Sequence, residues 1–161
     1  MEESGKMGNK GTQKTFSGRY HHTIDAKGRL SIPSQFREVL REKYKEEKIK
    51  LTSLANSLVA YPMPEWAIIE EKVSKLPQMK PEVRRFQLLF ISGAVECNLD
   101  KQGRILIPPA LREHAGLKKE IVIAGMINRF EIWDKERWEN EMKRLIENFE
   151  KYCEVLAELG I

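Results

Sequence analysis

The sequence predicts an α+β fold, mainly β, in which two copies of one structural unit follow each other along the chain. The segment IDAKGRLSIPSQFRE at 24–38 recurs as LDKQGRILIPPALRE at 99–113. Apolar and polar residues alternate on both sides of the repeated turn, which is typical of half-buried strands. In each copy a proline that opens a helical stretch follows the second strand, so each unit combines strands with helices.

The repeat extends well beyond the turn. After a three-residue shift, KIKLTSLANSLVAYPMPEW at 48–66 lies over EIVIAGMINRFEIWDKERW at 120–138. Two copies indicate a tandem duplication, because a solenoid needs three or more repeats. We therefore predict a polar, disordered tail at 1–15, a first unit at 16–76, a linker or bridging helix at 77–90 and a second unit at 91–159.

Each unit is predicted to begin with a strand, a tight turn and a second strand. The alternation in the second unit places Val95, Cys97 and Leu99 on one face, and the repeat places Tyr20, His22 and Ile24 on the matching face of the first. Aspartate at the first turn position and glycine at the fourth predict a type I turn closed by a left-handed glycine, the G1-bulge hairpin. This turn chemistry does not require the arginine that follows in both copies.

A short helix and two further strands follow in each unit. Pro33 and Pro108 fit the first turn of such a helix, where a missing N–H costs little, and Gly116 fits the position after the second helix. The strands are predicted at IKLTSL, LVAYP, EIVIAG and RFEIW. Each unit then ends in a helix, and Asp134 is the predicted N-cap of the last one.

The C-terminal helix has an apolar stripe at heptad spacing. We predict one helix of about 25 residues, about 37 Å long, which either packs on its own sheet or reaches a neighbouring subunit with its distal turns. The stripe consists of Trp138, Met142, Leu145, Phe149, Tyr152, Leu156 and Leu159.

Composition narrows the class of protein. The 161 residues have a net charge of +4 and a pI near 9.0, which permits a polyanionic partner such as nucleic acid. No segment is long and apolar enough to span a bilayer, and the N-terminus has no apolar signal region. The two cysteines lack metal-ligand spacing, so we expect a cytoplasmic protein with free thiols and without a cofactor, a metal or a small-molecule ligand.

The repeated segments point to a known family. FSGRYHHTIDAKGRLSIPSQFR at 16–37 and GAVECNLDKQGRILIPPALREHAGL at 93–117 closely resemble the MraZ family of bacterial transcriptional regulators, with both D-x-x-x-R motifs intact. The resemblance implies an AbrB-like (SpoVT–AbrB) fold, in which two swapped-hairpin units form a small pseudo-symmetric β-barrel flanked by helices. It also implies a nucleoid-associated ring oligomer that binds G-rich direct repeats in promoter DNA and represses the division and cell-wall operon.

The same resemblance makes Asp25, Arg29, Asp100 and Arg104 the motif residues. An arginine fork binds guanine O6 and N7, or a phosphate, bidentately. A single arginine after a turn is usually a solvated surface charge, but two matched copies favour contact with an anion.

Other side chains complete the predicted DNA-binding set. Lys27 and Lys101 would add phosphate contacts, and Arg19 beside the first hairpin is a further candidate. The two aspartates would build the turns or brace the arginines, because a carboxylate facing phosphates is repelled. The full set is Arg29, Arg104, Lys27, Lys101, Asp25, Asp100 and Arg19.

Several other residues have structural interpretations. Trp66 and Trp138 are predicted to pack helices on the sheet, and Cys97 and Cys153 to be small core residues. His21 is predicted to face outward, where it could contact a phosphate, and His22 is predicted to face inward. His114, at a helix end, has no evident partner. The recurring residues Arg37, Arg112, Glu38 and Glu113 are predicted to lie on helix surfaces or to form ion pairs between the repeats.

Three alternative functions remain open from the residues alone. Two pseudo-symmetric aspartates resemble the arrangement of aspartic proteases, but lysine and arginine in both loops hold the carboxylates ionised, so we expect no enzyme. An AbrB-like barrel could instead be an adaptor for a protein partner, although an adaptor does not need matched loop arginines. An AbrB-like antitoxin or developmental regulator would normally have one unit per chain.

Overall fold

The computed structural model describes residues 14–161, so most of the predicted tail, residues 1–13, lies outside the described residues. Within the described range the protein is α+β, as predicted. The strands are β1 Arg19–Thr23, β2 Arg29–Ser31, β3 Lys48–Ser53, β4 Leu58–Pro62, β5 Val95–Asn98, β6 Arg104–Leu106, β7 Glu120–Gly125 and β8 Phe130–Asp134. The helices are α1 Ser34–Glu42, α2 Met63–Ser74, α3 Pro81–Phe86, α4 Pro109–Ala115, α5 Lys135–Glu147 and α6 Phe149–Glu158, with a π-helical turn at Gln87–Ile91 after α3.

The two repeats exchange strands with each other. All pairs are antiparallel, and the larger sheet has the order β1-β7-β8-β4-β3-β5, while β2 and β6 form a separate ribbon. Exchanging each strand with its equivalent in the other repeat gives the same order reversed, so the sheets have a pseudo-two-fold axis. Among the strands of residues 14–161, β1 and β5 are the edges of the larger sheet, so hydrogen bonds do not close it there and the barrel stays a prediction.

The main core lies between the ribbon, the sheet and the short helices. Phe16, Phe36 and Phe130 meet with ring centroids 5.1–5.3 Å apart, and Leu30 of the ribbon is fully buried beside them. Such aromatic clusters contribute stability beyond their buried area.

A second apolar cluster lies under the bridge between the units. Trp66 of α2 stacks on Phe90 of the π-helical turn at 5.4 Å, and Tyr61 of β4 packs beside both rings. The Thr52 hydroxyl donates to the Phe90 carbonyl at 2.6 Å, which ties the bridge to β3. The prediction that Trp66 packs a helix on the sheet is therefore confirmed.

The C-terminal segment differs from the prediction of one continuous helix. The chain breaks at Asn148, where φ is −108° and the side-chain amide donates to the Arg144 carbonyl at 2.9 Å. Trp138 of α5 packs edge-on against Trp133 of β8 at 5.8 Å, whereas every residue of α6 is exposed. The core position predicted for Cys153 is therefore wrong, because α6 contributes no buried face.

Two predicted helix caps are confirmed. The Asp134 carboxylate accepts from the backbone N–H of Arg137, and Gly116 ends α4 with a left-handed φ of 62°. Among residues 14–161, no helix combines the length and the apolarity needed to cross a membrane.

Candidate nucleic-acid interface

Both repeated turns adopt the predicted G1-bulge geometry. Asp25 N donates to the Arg29 carbonyl at 3.1 Å, Gly28 N donates to the Asp25 carbonyl at 3.0 Å, and φ of Gly28 is 93°. The second turn has the same bonds at 2.8 and 2.9 Å, with φ of Gly103 at 74°. Only glycine adopts such backbone angles without strain, which explains the glycine at this position in each copy.

In each turn the aspartate holds the arginine in place. Asp25 Oδ1 accepts from the backbone N–H groups of Lys27 at 3.0 Å and Arg29 at 2.9 Å, and Oδ2 accepts from Arg29 Nε at 2.7 Å. The backbone bond from Arg29, followed by its guanidinium, lowers the pKa of Asp25 to about 2. This carboxylate is therefore ionised at neutral pH and braces the arginine, which agrees with the second of its two predicted roles.

The second turn repeats this brace. Asp100 Oδ1 accepts from the backbone N–H groups of Gln102 and Arg104, both at 2.9 Å, and Oδ2 accepts from Arg104 Nε at 3.0 Å. The same bonds lower the pKa of Asp100. Within residues 14–161 no hydrogen bond engages the Nη groups of either arginine, so four of the five guanidinium donors stay available for a ligand.

The β2–β6 ribbon brings the two arginines onto one outer face. At its centre Leu30 pairs with Ile105, and both side chains are buried beneath the ribbon. Because side chains alternate, Arg29 and Arg104 point to the opposite, outer face. Arg29 pairs with Leu106, two positions from Arg104, so the backbone positions of the two arginines are diagonal neighbours, roughly 7–8 Å apart.

The two turns flank this ribbon at opposite ends. Ile32 N donates to the Gly103 carbonyl at 2.9 Å, and Ile107 N donates to the Gly28 carbonyl at 2.8 Å. Each strand of the ribbon thus ends against the turn of the other repeat. Lys27 and Lys101 are exposed on these turns, so the structure brings together six of the seven predicted DNA-binding residues.

Arg19, the seventh predicted residue, lies elsewhere. It begins β1, six residues before Asp25, which corresponds to about 20 Å of extended chain. Its guanidinium lies 5.2 Å from the ring centroid of Trp138, a cation–π contact that joins β1 to α5.

Two arginines that were predicted to lie on helix surfaces or to form ion pairs between the repeats support the turns instead. Arg112 Nε donates to the Ile107 carbonyl at 2.9 Å, and a Cβ on Gly28 would lie 2.8 Å from that nitrogen. Arg37 also packs against Gly103, but its buried Nε has no hydrogen-bond partner among the described residues. Among the described residues no ion pair involves either arginine, so the ion-pair alternative is wrong. Their identity in both repeats marked the two positions, but each contact crosses to the turn of the other repeat and could not be read from local sequence.

Two of the three histidines, His22 and His114, bind backbone carbonyls. His22 Nδ1 donates to the Ser31 carbonyl at 2.7 Å and thereby ties β1 to the ribbon. His114 Nε2 donates to the Leu54 carbonyl at 2.5 Å, so the expectation that it has no partner was wrong. That contact joins residues 60 positions apart and could not be read from local sequence. His21 is exposed on the outer side of β1.

The fold and the site together define a class of protein: a duplicated, strand-exchanged α+β chain with two arginine-bearing turns around one exposed ribbon. The family model described as "MraZ protein, putative antitoxin-like" matches residues 15–89 and again residues 90–157. The chain therefore belongs to the MraZ family, as its motifs predicted.

Relatives named "Transcriptional regulator MraZ" align over nearly their whole length. The one from Caldicellulosiruptor saccharolyticus is 47% identical over 144 residues, which cover 89% of this chain and 98% of the relative. The one from Thermoanaerobacter sp. is 48% identical with the same coverage. The one from Natranaerobius thermophilus is 41% identical over 146 residues, 91% of this chain and 99% of the relative.

Proposed function

We propose that this protein is a transcriptional regulator that binds double-stranded DNA with the outer face of the β2–β6 ribbon and its two turns. The observation that carries the proposal is the pair of outward arginines, each bound through Nε by an aspartate of its own turn. A braced guanidinium loses less conformational freedom on binding than a free one. The name of the relatives, transcriptional regulator, agrees with this function.

The ribbon has dimensions that suit the major groove. That groove is about 12 Å wide and admits a two-stranded β-ribbon. The backbone positions of Arg29 and Arg104 are roughly 7–8 Å apart, which is about two base-pair steps, and each guanidinium extends from there to the aspartate of its own turn. Each fork would bind O6 and N7 of a guanine, which accounts for a preference for G-rich boxes, while Lys27 and Lys101 would bind phosphates.

Several subunits would act together on DNA that carries direct repeats. We assign the two AbrB-like units to 16–76 and 91–159, joined by the bridge at 77–90, with the sheet and the ribbon as the small barrel. A head-to-tail ring matches direct repeats better than a two-fold dimer, and linked sites multiply affinity through effective concentration. Such a ring would act in the cytoplasm, at the nucleoid. Bound to the promoter of the division and cell-wall operon, it would block access to that promoter and so repress the operon.

Exposed apolar side chains support self-association. α6 presents an unburied apolar stripe, and the bridge presents another. Contiguous apolar surface of this kind marks sites of protein contact. The side chains are Phe149, Tyr152, Val155 and Leu156 on α6, Leu159 directly after it, and Phe86, Leu88 and Leu89 on the bridge.

The proposal is tested by fluorescence anisotropy with a duplex of four G-rich boxes and a scrambled duplex of equal length, at two salt concentrations. Arg29→Ala with Arg104→Ala should remove the preference for the boxes. The matched control, Arg84→Ala with Arg85→Ala, removes two exposed charges from α3 and should bind like wild type. Equal binding of the wild type to both duplexes would contradict the proposal and favour an adaptor for a protein partner.

A further inference from the structure

Strand exchange places a different segment beside each turn. Ile24, just before the first turn, donates its N–H to the Lys119 carbonyl at 2.9 Å. Leu99, just before the second turn, donates its N–H to the Glu47 carbonyl at 3.1 Å. The two bonds are equivalent under the pseudo-two-fold axis, so Lys119 and Glu47 occupy matching positions beside matching turns.

The charges at these matching positions are opposite. Lys118 and Lys119 flank the first turn, whereas Glu46 and Glu47 flank the second. Each turn itself contains one aspartate, one lysine and one arginine, a net charge of +1. With its two flanking residues the first turn therefore has a net charge of +3, and the second a net charge of −1.

The charge difference is confined to the residues next to the turns, because Lys43 and Lys45 lie opposite Ala115 and Leu117 and bring the segments 43–48 and 115–120 to the same net charge of +1. Glu120 follows Lys119 near the first turn, and Lys48 follows Glu47 near the second, so each has the opposite charge to its flanking pair. With these two residues included, the net charges are +2 at the first turn and 0 at the second. Both are ion-paired, Glu120 with Lys135 at 3.6 Å and Lys48 with Glu96 at 3.4 Å. The arginines that pack against the turn glycines, Arg112 and Arg37, contribute equally to the two sides.

The flanking residues also differ in their own partners. Lys118 pairs with Glu136 at 2.9 Å, and Glu47 lies 3.5 Å from Arg41. No ion pair within residues 14–161 involves Lys119, which is exposed beside Ile24. Because Lys119 has no carboxylate partner among the described residues and its carbonyl binds the residue before the first turn, it is the cation best placed to extend the site of that turn.

We propose that the two turns are unequal DNA ligands, with the first dominant because Lys119 adds a phosphate contact beside Arg29. At the second turn the carboxylates of Glu46 and Glu47 repel the phosphate backbone and weaken the hold of Arg104. This inference rests on the proposed function and adds a direction to it: one end of the ribbon binds DNA tightly and the other loosely.

Single arginine variants measure the inequality directly. In anisotropy titrations with the four-box duplex, Arg29→Ala should raise Kd at least threefold more than Arg104→Ala. The decisive background is the charge swap Lys119→Glu with Glu47→Lys, which leaves the net charge of the chain unchanged. Both positions are exposed, so the swap should fold, as checked by circular dichroism. In the swapped protein the order should reverse, with Arg104→Ala the more damaging change.

Salt dependence gives a second readout. Lys119→Ala should reduce the slope of log K against log salt by about 0.9 for each subunit on the duplex. Glu47→Gln should strengthen binding, and the control Lys143→Ala, on the exposed side of α5, should leave the slope unchanged.

Equal losses from Arg29→Ala and Arg104→Ala, or an order that the swap does not reverse, would overturn the inequality while leaving DNA binding intact. Failure of the wild type to bind the duplex would instead overturn the proposed function, together with the inequality built on it. The two failures are therefore distinguishable in one set of titrations.

Discussion

The carboxylate of Asp25 accepts three hydrogen bonds, and all three donors belong to its own turn. Asp100 is bound in the same way. Each aspartate thus links the turn backbone to the arginine that we propose as the DNA reader. Removing the carboxylate would release both the turn backbone and the arginine. A substitution of the aspartate should therefore also displace the arginine.

The titration of Asp25 tests this brace. Its folded pKa of about 2 lies below the ordinary value of 3.8, so the stabilisation from ionised Asp25 is complete above pH 4 and is lost as the pH falls from 3.8 towards 2. Carboxyl NMR should give a midpoint near 2 in the wild type. Arg29→Ala should shift the midpoint upward, because one of the bonds to the carboxylate is removed. A wild-type midpoint at or above 3.8 would contradict the brace.

The two thiols should differ strongly in reactivity. Burial raises the pKa of Cys97 to about 11, with nearby Glu96 as a second cause, whereas Cys153 is exposed on α6. Since the thiolate is the reactive form, iodoacetamide at pH 8 should label one thiol per native chain and two in denaturant. Peptide mass spectrometry identifies the site. If Cys97 is labelled as fast as Cys153 in the native protein, the ribbon side of the core is open to solvent.

At the scale of elements, the turn glycines connect the two repeats. Gly28→Ala would place a methyl group 2.8 Å from both the Ile107 carbonyl and Arg112 Nε, at a φ of 93°. We expect a loss of unfolding free energy of about 1–3 kcal/mol, measured by urea denaturation, together with weaker DNA binding. Gly160→Ala is the control, since Gly160 has a φ of 90° and a Cβ added there would have no atom of residues 14–161 within 4 Å. Similar losses for the two variants would show that backbone preference alone is responsible.

The sequence predicted the turns in detail because their determinants are local. Aspartate, glycine and arginine act within five consecutive residues, so the hydrogen bonds follow from turn chemistry. The support from Arg112 comes from the other repeat, and local patterns contain no information about such a contact. A contact between distant segments can be inferred only after the strand exchange is known.

The break at Asn148 was missed for a different reason. The apolar stripe continues in the same register through α5 and α6, so periodicity alone predicts one helix. The break depends on a single amide that binds a backbone carbonyl four residues earlier, a local competition that asparagine offers to any helix.

At the scale of the whole molecule, α6 is the segment most clearly separate from the core. Residues 149–161 are all exposed, so ending the chain after Asn148 should change Tm by only a few degrees. If α6 forms contacts between subunits, light scattering after gel filtration should show a smaller assembly. Lys151→Ala with Glu154→Ala keeps the apolar stripe and the net charge and should assemble like wild type. If the shortened chain forms assemblies with the same number of subunits, those contacts lie elsewhere, and the bridge is the next candidate.

The exchange of strands also has a consequence for synthesis on the ribosome. β1 at residues 19–23 finds its partner only at residues 120–124, and β3 likewise requires β5 from the second half. At roughly 5–20 residues per second, β1 waits about 5–20 s for β7, and β3 waits about 2–9 s for β5. Although the chain is a duplication, it cannot be completed one copy at a time, and its folding yield should depend on how fast the second half is translated.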